Sequence, residues 1–348
     1  GTSMITKLEL KNFTTFEKLD IDFSPRINVI IGENGTGKTQ LLKASYALSH
    51  TSKIDSEDIE TTFTKRLVDI FMPLDDKLGK MRKNGATENA SMKITFDKDE
   101  TFKCSFHTNS QKIAVQDNQN YLEYKKEPVY IPTKEVLSFM KGFTSLYAKY
   151  DLSFDETYLD ICTLLDLPEM KAERLNPKAK WAMDEIENIC KGKFVFYGGG
   201  KVTFKTSDAE YSANSMAEGF RKAGMLSRLL ETGAIEPGVS GTLFWDEPET
   251  NMNPKLMRLF VEIMLELSRN GQQIVIATHD YVLLKWFDLL RDEGKSDEIK
   301  YHSLYLEENE IKRNSTLIFD EIYPNPIDEA FGFLVDQEIS NDMGDLGK

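Results

Sequence analysis

The hydrophobic positions of this chain follow two patterns, one typical of buried strands and one typical of amphipathic helices. Apolar runs without polar alternation occur at residues 27–31, 242–245 and 273–277, as expected of strands covered on both faces. Between and after these runs, apolar residues recur at helical spacing. This spacing predicts helices that begin at residue 38 and that span 216–230, 254–269 and 281–290. Helices that alternate with wholly apolar strands indicate a parallel sheet in an α/β fold.

Other segments are shorter and less regular. Further strands are predicted at 5–10, 19–23, 128–131 and 201–205, and alternating segments at 92–96, 101–106 and 111–115 predict an antiparallel β layer. From residue 134 to 190 the spacing of apolar residues is helical. We therefore divide the chain into a first lobe at 4–133, a helical insertion at 134–192, a second lobe at 193–320 and a C-terminal tail at 321–348.

Residues 32–39, which follow the first apolar run, match the phosphate-loop pattern G-x-x-x-x-G-K-[ST] at every fixed position. Glycines in such a loop let successive N–H groups point at phosphate oxygens, and the start of the next helix adds partial positive charge. We expect Lys38 to reach the β- and γ-phosphates of ATP and the Thr39 hydroxyl to bind Mg²⁺. The other residues of this loop that we predict to contact the nucleotide are Gly32, Asn34, Gly35, Thr36 and Gly37.

Two acids, Asp246 and Glu247, end the second apolar run. Alone, such a pair is more typical of a solvated turn. With a phosphate loop upstream, we expect Asp246 to hold Mg²⁺ through its water shell opposite Thr39, and Glu247 to accept a proton from the attacking water. The third apolar run ends close to His279, which should lie at the same sheet edge within reach of a γ-phosphate. We predict that Glu247 and His279 are catalytic.

Charge and composition limit the choice of partners. The chain has 43 Lys and Arg residues and 57 Asp and Glu residues, a net charge of −14, which opposes binding to DNA unless a local basic face or a basic partner supplies cations. Its three cysteines are widely spaced and suggest neither a metal cluster nor a disulfide framework. No apolar stretch approaches the length of a membrane span. We expect a soluble cytoplasmic protein without membrane contact.

The phosphate loop, the acid pair and the histidine, in this order, resemble the ABC-type ATPases of the SMC, RecF and OLD kind. The small ABC-like AAA ATPases of bacterial anti-phage defence loci, such as PtuA and its relatives, are more similar. The segments that carry the resemblance are FSPRINVIIGENGTGKTQLLKA, PVYIPTKEVLSF, AEGFRKAGMLSRLLETG, LFWDEPETNMNPKL and IVIATHDY. The resemblance implies a two-lobed P-loop NTPase head with a mixed sheet. It also implies a homodimer in which each ATP lies between one subunit's phosphate loop and the other's signature helix.

The resemblance assigns the signature to residues 215–222. Gly219 fits the family pattern, whereas Ala217 stands where a transporter-type signature has serine, so a hydroxyl contact to the nucleotide is missing. Backbone N–H groups at the helix start, together with Ser215 or Arg221, are candidates to replace it. The alternative interpretation of this segment is an ordinary amphipathic helix start.

Two further loops follow from the same resemblance. Glu135 or Lys134 takes the place of the glutamine in the loop that connects the lobes, and Asn251 and Met252 belong to the D-loop that crosses the dimer. The insertion at 134–192 stands where SMC-like relatives have a long coiled coil, which argues against a role in bridging distant DNA segments.

Three functions remain open. The first is an ATP-dependent dimerising switch that regulates a separate effector in anti-phage defence, a nuclease or Toprim-like protein, since the chain has no recognisable nuclease signature of its own. In this scheme, DNA contact would come through the partner. The second is a RecF-like DNA repair ATPase, and the third is the ATP-binding subunit of a transporter.

Overall fold

The computed structural model describes residues 3–143 and 154–346, and its central element is a mixed six-stranded sheet. In spatial order this sheet contains β14, β13, β3, β12, β11 and β7, and all neighbours are parallel except the β13–β14 hairpin. The strands are β3 Ile27–Ile31, β7 Val129–Ile131, β11 Leu243–Asp246, β12 Ile274–Thr278, β13 Ile299–Glu307 and β14 Glu310–Thr316.

Two antiparallel sheets accompany the central one. The larger has the order β2-β1-β4-β5-β6 and the smaller the order β10-β9-β8. Their strands are β1 Ile5–Phe13, β2 Phe16–Asp22, β4 Ala90–Phe96, β5 Thr101–Phe106, β6 Ala114–Asp117, β8 Lys193–Gly198, β9 Lys201–Lys205 and β10 Glu210–Ser212. The larger sheet is the antiparallel β layer that the sequence predicts.

The α-helices described in full range from 10 to 21 residues in length. They are α1 Lys38–Ser49, α2 Ile59–Phe71, α3 Glu156–Leu165, α4 Pro177–Cys190, α5 Glu218–Glu231, α6 Pro254–Arg269, α7 Tyr281–Leu290 and α8 Pro326–Leu346. Among the described residues, no helix has both the length and the apolar character needed to cross a membrane.

The central strands are apolar on both faces because a separate hydrophobic core lies on each side of the sheet. In β3, Val29 and Ile31 pack in the core that contains α5 and α6, whereas Ile30 packs in the core formed by α1, α2 and the larger antiparallel sheet. All five residues of β3 are buried. The predicted division into lobes stays a prediction, and this sheet takes strands from both of them.

The sheet register places the candidate chemistry at one edge. Asp246 of β11 is opposite Ala277 of β12, and Thr278 of β12 is opposite Ile31 of β3. The phosphate loop therefore begins beside the end of β12, which precedes His279, and β11, which ends in the acid pair, is the next strand along. Carboxyl ends of parallel strands at one edge are the usual place for ligand sites in α/β folds.

The α/β fold with a mixed sheet is confirmed, and several elements match the predicted bounds, namely those at 27–31, 101–106, 201–205, 254–269 and 281–290. Helical structure over 134–190 was too broad a prediction, because residues 132–142 form bends and turns and the described helices begin at Glu156 and Pro177. Residues 144–153 of that stretch lie outside the described residues. The strand predicted at 111–115 is displaced to Ala114–Asp117.

A buried charge network attaches the helical segment after residue 154 to the first helices. The Arg66 guanidinium of α2 contacts Asp160 of α3 at 2.8 Å and Glu156 at 3.4 Å. Tyr46 of α1 donates its hydroxyl proton to Asp160 at 2.5 Å, and burial raises the pKa of Tyr46 well above its usual value. Arg66 and Asp160 are both buried, so each needs the opposite charge of the other to offset the cost of its burial.

Candidate functional site

Two glycines of the phosphate loop, Gly32 and Gly37, occupy positions where a side chain would collide with neighbouring atoms. Gly37 has φ of +91°, and a Cβ atom there would lie 2.5 Å from the Phe16 ring. A Cβ atom at Gly32 would lie 2.7 Å from the Leu304 carbonyl oxygen of β13. The Thr36 hydroxyl donates to the Glu33 carbonyl oxygen at 2.7 Å and closes the loop. The strand–loop–helix order that the motif needs is therefore present, with α1 beginning at Lys38.

The Lys38 side chain folds back into this loop. Its ammonium group donates to the Gly32 carbonyl oxygen, and only 5% of the residue is exposed. Burial lowers the pKa of Lys38, and the nearby carboxylates of Glu247 and Asp246 oppose this shift. The ammonium group is thus held inside the loop, where it can meet a phosphate oxygen.

Thr39 and Asp246 meet across the sheet edge. The Thr39 hydroxyl donates to Asp246 Oδ2 at 2.8 Å, and the Tyr130 hydroxyl approaches the same oxygen at 3.4 Å. Burial raises the pKa of Asp246, whereas the hydrogen bond from Thr39 opposes the rise.

This oxygen pair can be tested against the demands of a divalent cation. Two neighbouring ligands of octahedral Mg²⁺ with bonds of about 2.1 Å are about 3 Å apart, which agrees with the 2.8 Å between Thr39 Oγ1 and Asp246 Oδ2. Within residues 3–143 and 154–346, no group of three or more His, Cys, Asp or Glu side chains could hold a metal. Magnesium bound by one or two protein oxygens together with phosphates needs no such group. The residues present therefore fit the ion.

The two residues that we predict to be catalytic are brought together. His279 Nδ1 lies 3.1 Å from Glu247 Oε1, and about half of the His279 side chain is exposed. Glu247 has φ of +50°, and its backbone N–H donates to the Ala277 carbonyl oxygen at 2.8 Å. A left-handed residue at this point turns the chain sharply and presents the Glu247 carboxylate beside the end of β12.

The signature segment lies against the turn that begins with the acid pair. We call residues 246–252 the acidic turn. A Cβ atom at Gly219 would lie 2.6 Å from the Asn251 carbonyl oxygen, and Asn251 donates a side-chain hydrogen bond to Glu218. Ala217 is the N-cap of α5 and supplies no side-chain cap, while the Ser215 hydroxyl donates to the Ser212 carbonyl oxygen at 2.7 Å. The first N–H groups of α5 consequently receive no side-chain cap from Ala217.

A cleft of 1120 Å³ opens beside the phosphate loop. The described residues that line it include loop residues 32–36, His279 and part of β13, and none of residues 215–219. Within one chain, the structure therefore brings the phosphate loop, the acid pair and His279 to one sheet edge, whereas residues 215–219 do not line the cleft beside the loop.

Glu135 contacts the signature helix directly. Its carboxylate lies 3.0 Å from Arg221 Nε and accepts hydrogen bonds from the backbone and hydroxyl of Ser138 at 3.2 and 2.5 Å. Arg221 also donates to the Met216 carbonyl oxygen. The Arg221 guanidinium, which we considered as a replacement for the missing serine hydroxyl, is thus occupied by contacts within its own chain.

Two buried ionisable residues near the site were not predicted. Lys222 of α5 is 1% exposed and donates to the carbonyl oxygens of Thr250 at 3.0 Å and Glu247 at 3.4 Å. Glu249 is 5% exposed and accepts a hydrogen bond from the Thr278 hydroxyl at 2.7 Å. A signal for Lys222 exists, since it occupies the buried face of α5 between Gly219 and Leu226. No periodicity marks Glu249.

Comparison with known families identifies two consecutive matches. A family model described as an AAA domain matches residues 7–165. A second model, described as an AAA domain, putative AbiEii toxin, type IV TA system, matches residues 172–285. Together they cover most of the chain.

Part of the chain is also similar to individual known proteins. The DNA replication and repair protein RecF of Bacillus cereus (strain G9842) is 30% identical over 139 residues, which cover 39% of this chain and 30% of RecF. RecF of Bacillus thuringiensis (strain Al Hakam) matches with the same identity and coverage. The match thus spans less than a third of these relatives' length.

Solved structures show the fold. The SMC head domain from Thermotoga maritima superposes with a TM-score of 0.52 at 13% identity, covering 90% of this chain and all of that one. The Smc head of Pyrococcus furiosus, with an extended coiled coil and bound to the C-terminal domain of ScpA, gives 0.55 at 12% identity, covering 97% of this chain and all of that one. The described architecture is that of an SMC head.

Proposed function

We propose that this chain, which matches two AAA-domain family models and has the fold of an SMC head, is an ATPase that binds ATP with Mg²⁺, dimerises around it and hydrolyses it. The observation that carries the proposal is the 2.8 Å contact between Thr39 and Asp246. It joins the hydroxyl of the residue after the phosphate-loop lysine to a carboxylate at the end of β11, a parallel strand of the same sheet. This is the pair of oxygens that holds magnesium in P-loop NTPases.

The residues at this edge divide the chemistry among them. Lys38 and the loop N–H groups bind the phosphates, and Thr39 with Asp246 would hold the metal. Magnesium bound there would neutralise charge that develops on the phosphate oxygens. Glu247 accepts the proton of the attacking water, and its contact with His279 at 3.1 Å orients the carboxylate.

The second half of the site would come from the partner subunit. The start of α5 presents N–H groups that its N-cap, Ala217, leaves without a side-chain acceptor. Such a helix start suits an anionic group such as a γ-phosphate. Because each chain carries a net charge of −14, two copies repel one another, and bound nucleotide and metal at the interface would have to offset that repulsion.

Two substitutions test the chemistry. Lys38→Ala should abolish nucleotide binding, measured by titration with a fluorescent ATP analogue. Glu247→Gln should retain binding, lose turnover and accumulate an ATP-bound dimer in analytical ultracentrifugation. Lys255→Ala is the matched control, because Lys255 is exposed at the start of α6. Full activity of Glu247→Gln would remove Glu247 as the base, and unchanged affinity of Lys38→Ala would contradict the site itself.

We further propose that this ATPase is a switch for a separate effector in anti-phage defence, a nuclease or Toprim-like protein. The description of the second matching family names a type IV toxin–antitoxin system, which has two components, and so supports a separate partner protein without identifying it as a nuclease. The test is co-purification of tagged Glu247→Gln protein with the products of neighbouring genes, with and without ATP. A partner retained only with ATP supports the switch, and no retained nuclease or Toprim-like product under either condition contradicts it.

A RecF-like DNA repair ATPase is the second candidate, and the RecF matches favour it. It predicts ATP hydrolysis that duplex DNA stimulates and that falls steeply with salt, because phosphate contacts release counterions. The net charge of −14 weighs against it. Hydrolysis that is indifferent to DNA at low salt would dismiss this candidate.

A further inference from the structure

Glu249 is a buried carboxyl group for which the proposed chemistry has no use. It lies in the acidic turn, two residues after Glu247, and is 5% exposed. One carboxyl oxygen, Oε1, accepts the Thr278 hydroxyl proton at 2.7 Å. The other, Oε2, is buried and has no hydrogen-bond partner among the described residues. Burial of an incompletely paired carboxyl group is costly, so its presence requires an explanation.

Thr278, the partner of Glu249, is fixed on both sides. It is fully buried at the end of β12, and its hydroxyl oxygen accepts a hydrogen bond from the Asp280 N–H at 2.9 Å. Asp280 in turn caps α7 by accepting from the Val282 N–H at 2.7 Å. His279 therefore lies between Thr278 and Asp280, which are joined by the hydrogen bond to the Thr278 hydroxyl. The same hydroxyl reaches Glu249 in the acidic turn.

We propose that Glu249 is a positioning residue, whose hydrogen bond with Thr278 fixes the turn that carries Glu247 against the strand end that carries His279. This inference rests on the proposed function, since it assigns Glu249 a part in orienting the general base. Beyond Asp246, which pairs with Ala277 in the sheet, two links among the described residues hold the turn to β12. They are the backbone bond from Glu247 N–H to Ala277 at 2.8 Å and the side-chain bond between Glu249 and Thr278.

The ionisable groups around Glu249 indicate that glutamine is the substitution that best preserves its hydrogen bond. Burial raises the pKa of Glu249 to about 7, and the hydrogen bond from Thr278 opposes that rise. The ionisable groups that act on Glu249 are His279 and Asp280 at the strand end, Lys222 from α5 and Lys38 from α1. A carboxyl group that binds a proton near neutral pH is well imitated by an amide. Glu249→Gln keeps an oxygen acceptor for Thr278, whereas Glu249→Ala and Thr278→Val each break the link.

The test combines steady-state ATP hydrolysis with binding. Glu249→Ala and Thr278→Val should each lower kcat about tenfold, while the Kd for Mg²⁺-ATP stays within about twofold of wild type. Glu249→Gln should recover most of the activity that Glu249→Ala loses. The double variant should be no slower than Thr278→Val, because Thr278→Val already removes the link that Glu249→Ala breaks, together with the hydrogen bond from Asp280. Glu173→Ala, at an exposed position, is the control.

A second readout does not depend on hydrolysis. The ¹⁵N shift of His279 Nδ1, assigned with His279→Gln, should move towards that of a solvated imidazole in Thr278→Val and remain in Glu249→Gln. Unchanged kcat in both link-breaking variants, or an unchanged Nδ1 shift in Thr278→Val, overturns the positioning role. Thr278→Val conserves volume and carries the test if Glu249→Ala does not fold. An inactive wild type would instead reject the proposed function, and the shift would still decide whether the link holds His279.

Discussion

Replacement of Gly219 by alanine adds one methyl group at the contact between the signature helix and the acidic turn. The added carbon would lie 2.6 Å from the Asn251 carbonyl oxygen and 3.3 Å from Met252 Cα. Both neighbours are backbone atoms, so no side-chain rotation can relieve the contact. An ordinary contact is about 3.4 Å or longer, and the turn and helix must therefore separate by several tenths of an ångström.

Two effects of opposite sign decide the result. Alanine is favoured over glycine by up to about 1 kcal/mol inside a helix, although Gly219 is only the second residue of α5. Forcing extra volume into a packed contact costs about 1–3 kcal/mol. We therefore expect the variant to lose about 1 kcal/mol of unfolding free energy. Because the displaced turn carries Glu247, we also expect kcat to fall about tenfold, which corresponds to about 1.4 kcal/mol.

The assay is ATP hydrolysis measured beside chemical denaturation. Gly344→Ala is the matched control, because a methyl group at Gly344 of α8 meets no atom within 4 Å and should leave kcat unchanged. A Gly219→Ala protein with wild-type kcat and raised stability would show that helix propensity outweighs the contact. In that case, the acidic turn would not depend on its packing against α5, and our account of this contact would be refuted.

Two further predictions concern buried charges. Arg66→Met should lower the unfolding free energy by about 3–5 kcal/mol, measured by denaturant titration, because it leaves Asp160 buried and unpaired; a loss below about 1 kcal/mol would contradict this. Glu249 has a folded-state pKa of about 7, above its ordinary 4.5, so its favourable contribution is complete below pH 4.5 and is lost as pH rises through 7. Relative to Glu249→Gln, the wild type should thus lose about 3 kcal/mol of unfolding free energy between these pH values, and parallel stability–pH curves would contradict the shift.

The elements that the sequence predicts well are those whose pattern has a single physical cause. Residues 27–31 are apolar throughout because a core lies on each face of the central sheet, and the bounds of β3 match the prediction. Helix α6 begins at Pro254 with Asn253 as its N-cap, which accepts a hydrogen bond from Leu256 N–H at 2.9 Å. Local capping and a strict helical period define such an element without knowledge of its neighbours.

The β13–β14 hairpin was missed although it has a local signal. Its two-residue loop, Glu308-Asn309, has φ of +52° and +63°, and asparagine is among the residues that tolerate this conformation. The flanking strands pair from Tyr301 with Thr316 to Glu307 with Glu310. Glutamate at the first loop position is uncommon, and the many charges of this segment obscured the alternation. Strand β8 was also missed, because of the two paired strands only β9 has a clear alternating pattern.

Contacts within the candidate site depend on packing between distant segments, which no local pattern reports. Glu249 meets Thr278 only because β11 and β12 are neighbours in register, and Glu135 meets Arg221 only because α5 crosses the segment after β7. The motif places the acids at the strand end, but the side-chain partners follow from the assembled sheet. One sequence therefore predicts the reactive groups but not the residues that hold them in position.

The contacts of α5 with the acidic turn bear on the absence of a hydroxyl at Ala217. Helix α5 is attached to its own acidic turn by the close approach at Gly219, by the Glu218–Asn251 hydrogen bond and by Lys222. A helix start that is held at three points presents its N–H groups in a fixed direction, so an anion that it binds needs little reorganisation of the protein. In the proposed dimer, the same attachments would transmit a displacement of the signature helix, caused by the partner's nucleotide, to the turn that carries Glu247. In that dimer, one missing serine contact would cost affinity without removing the connection between the two halves of the site.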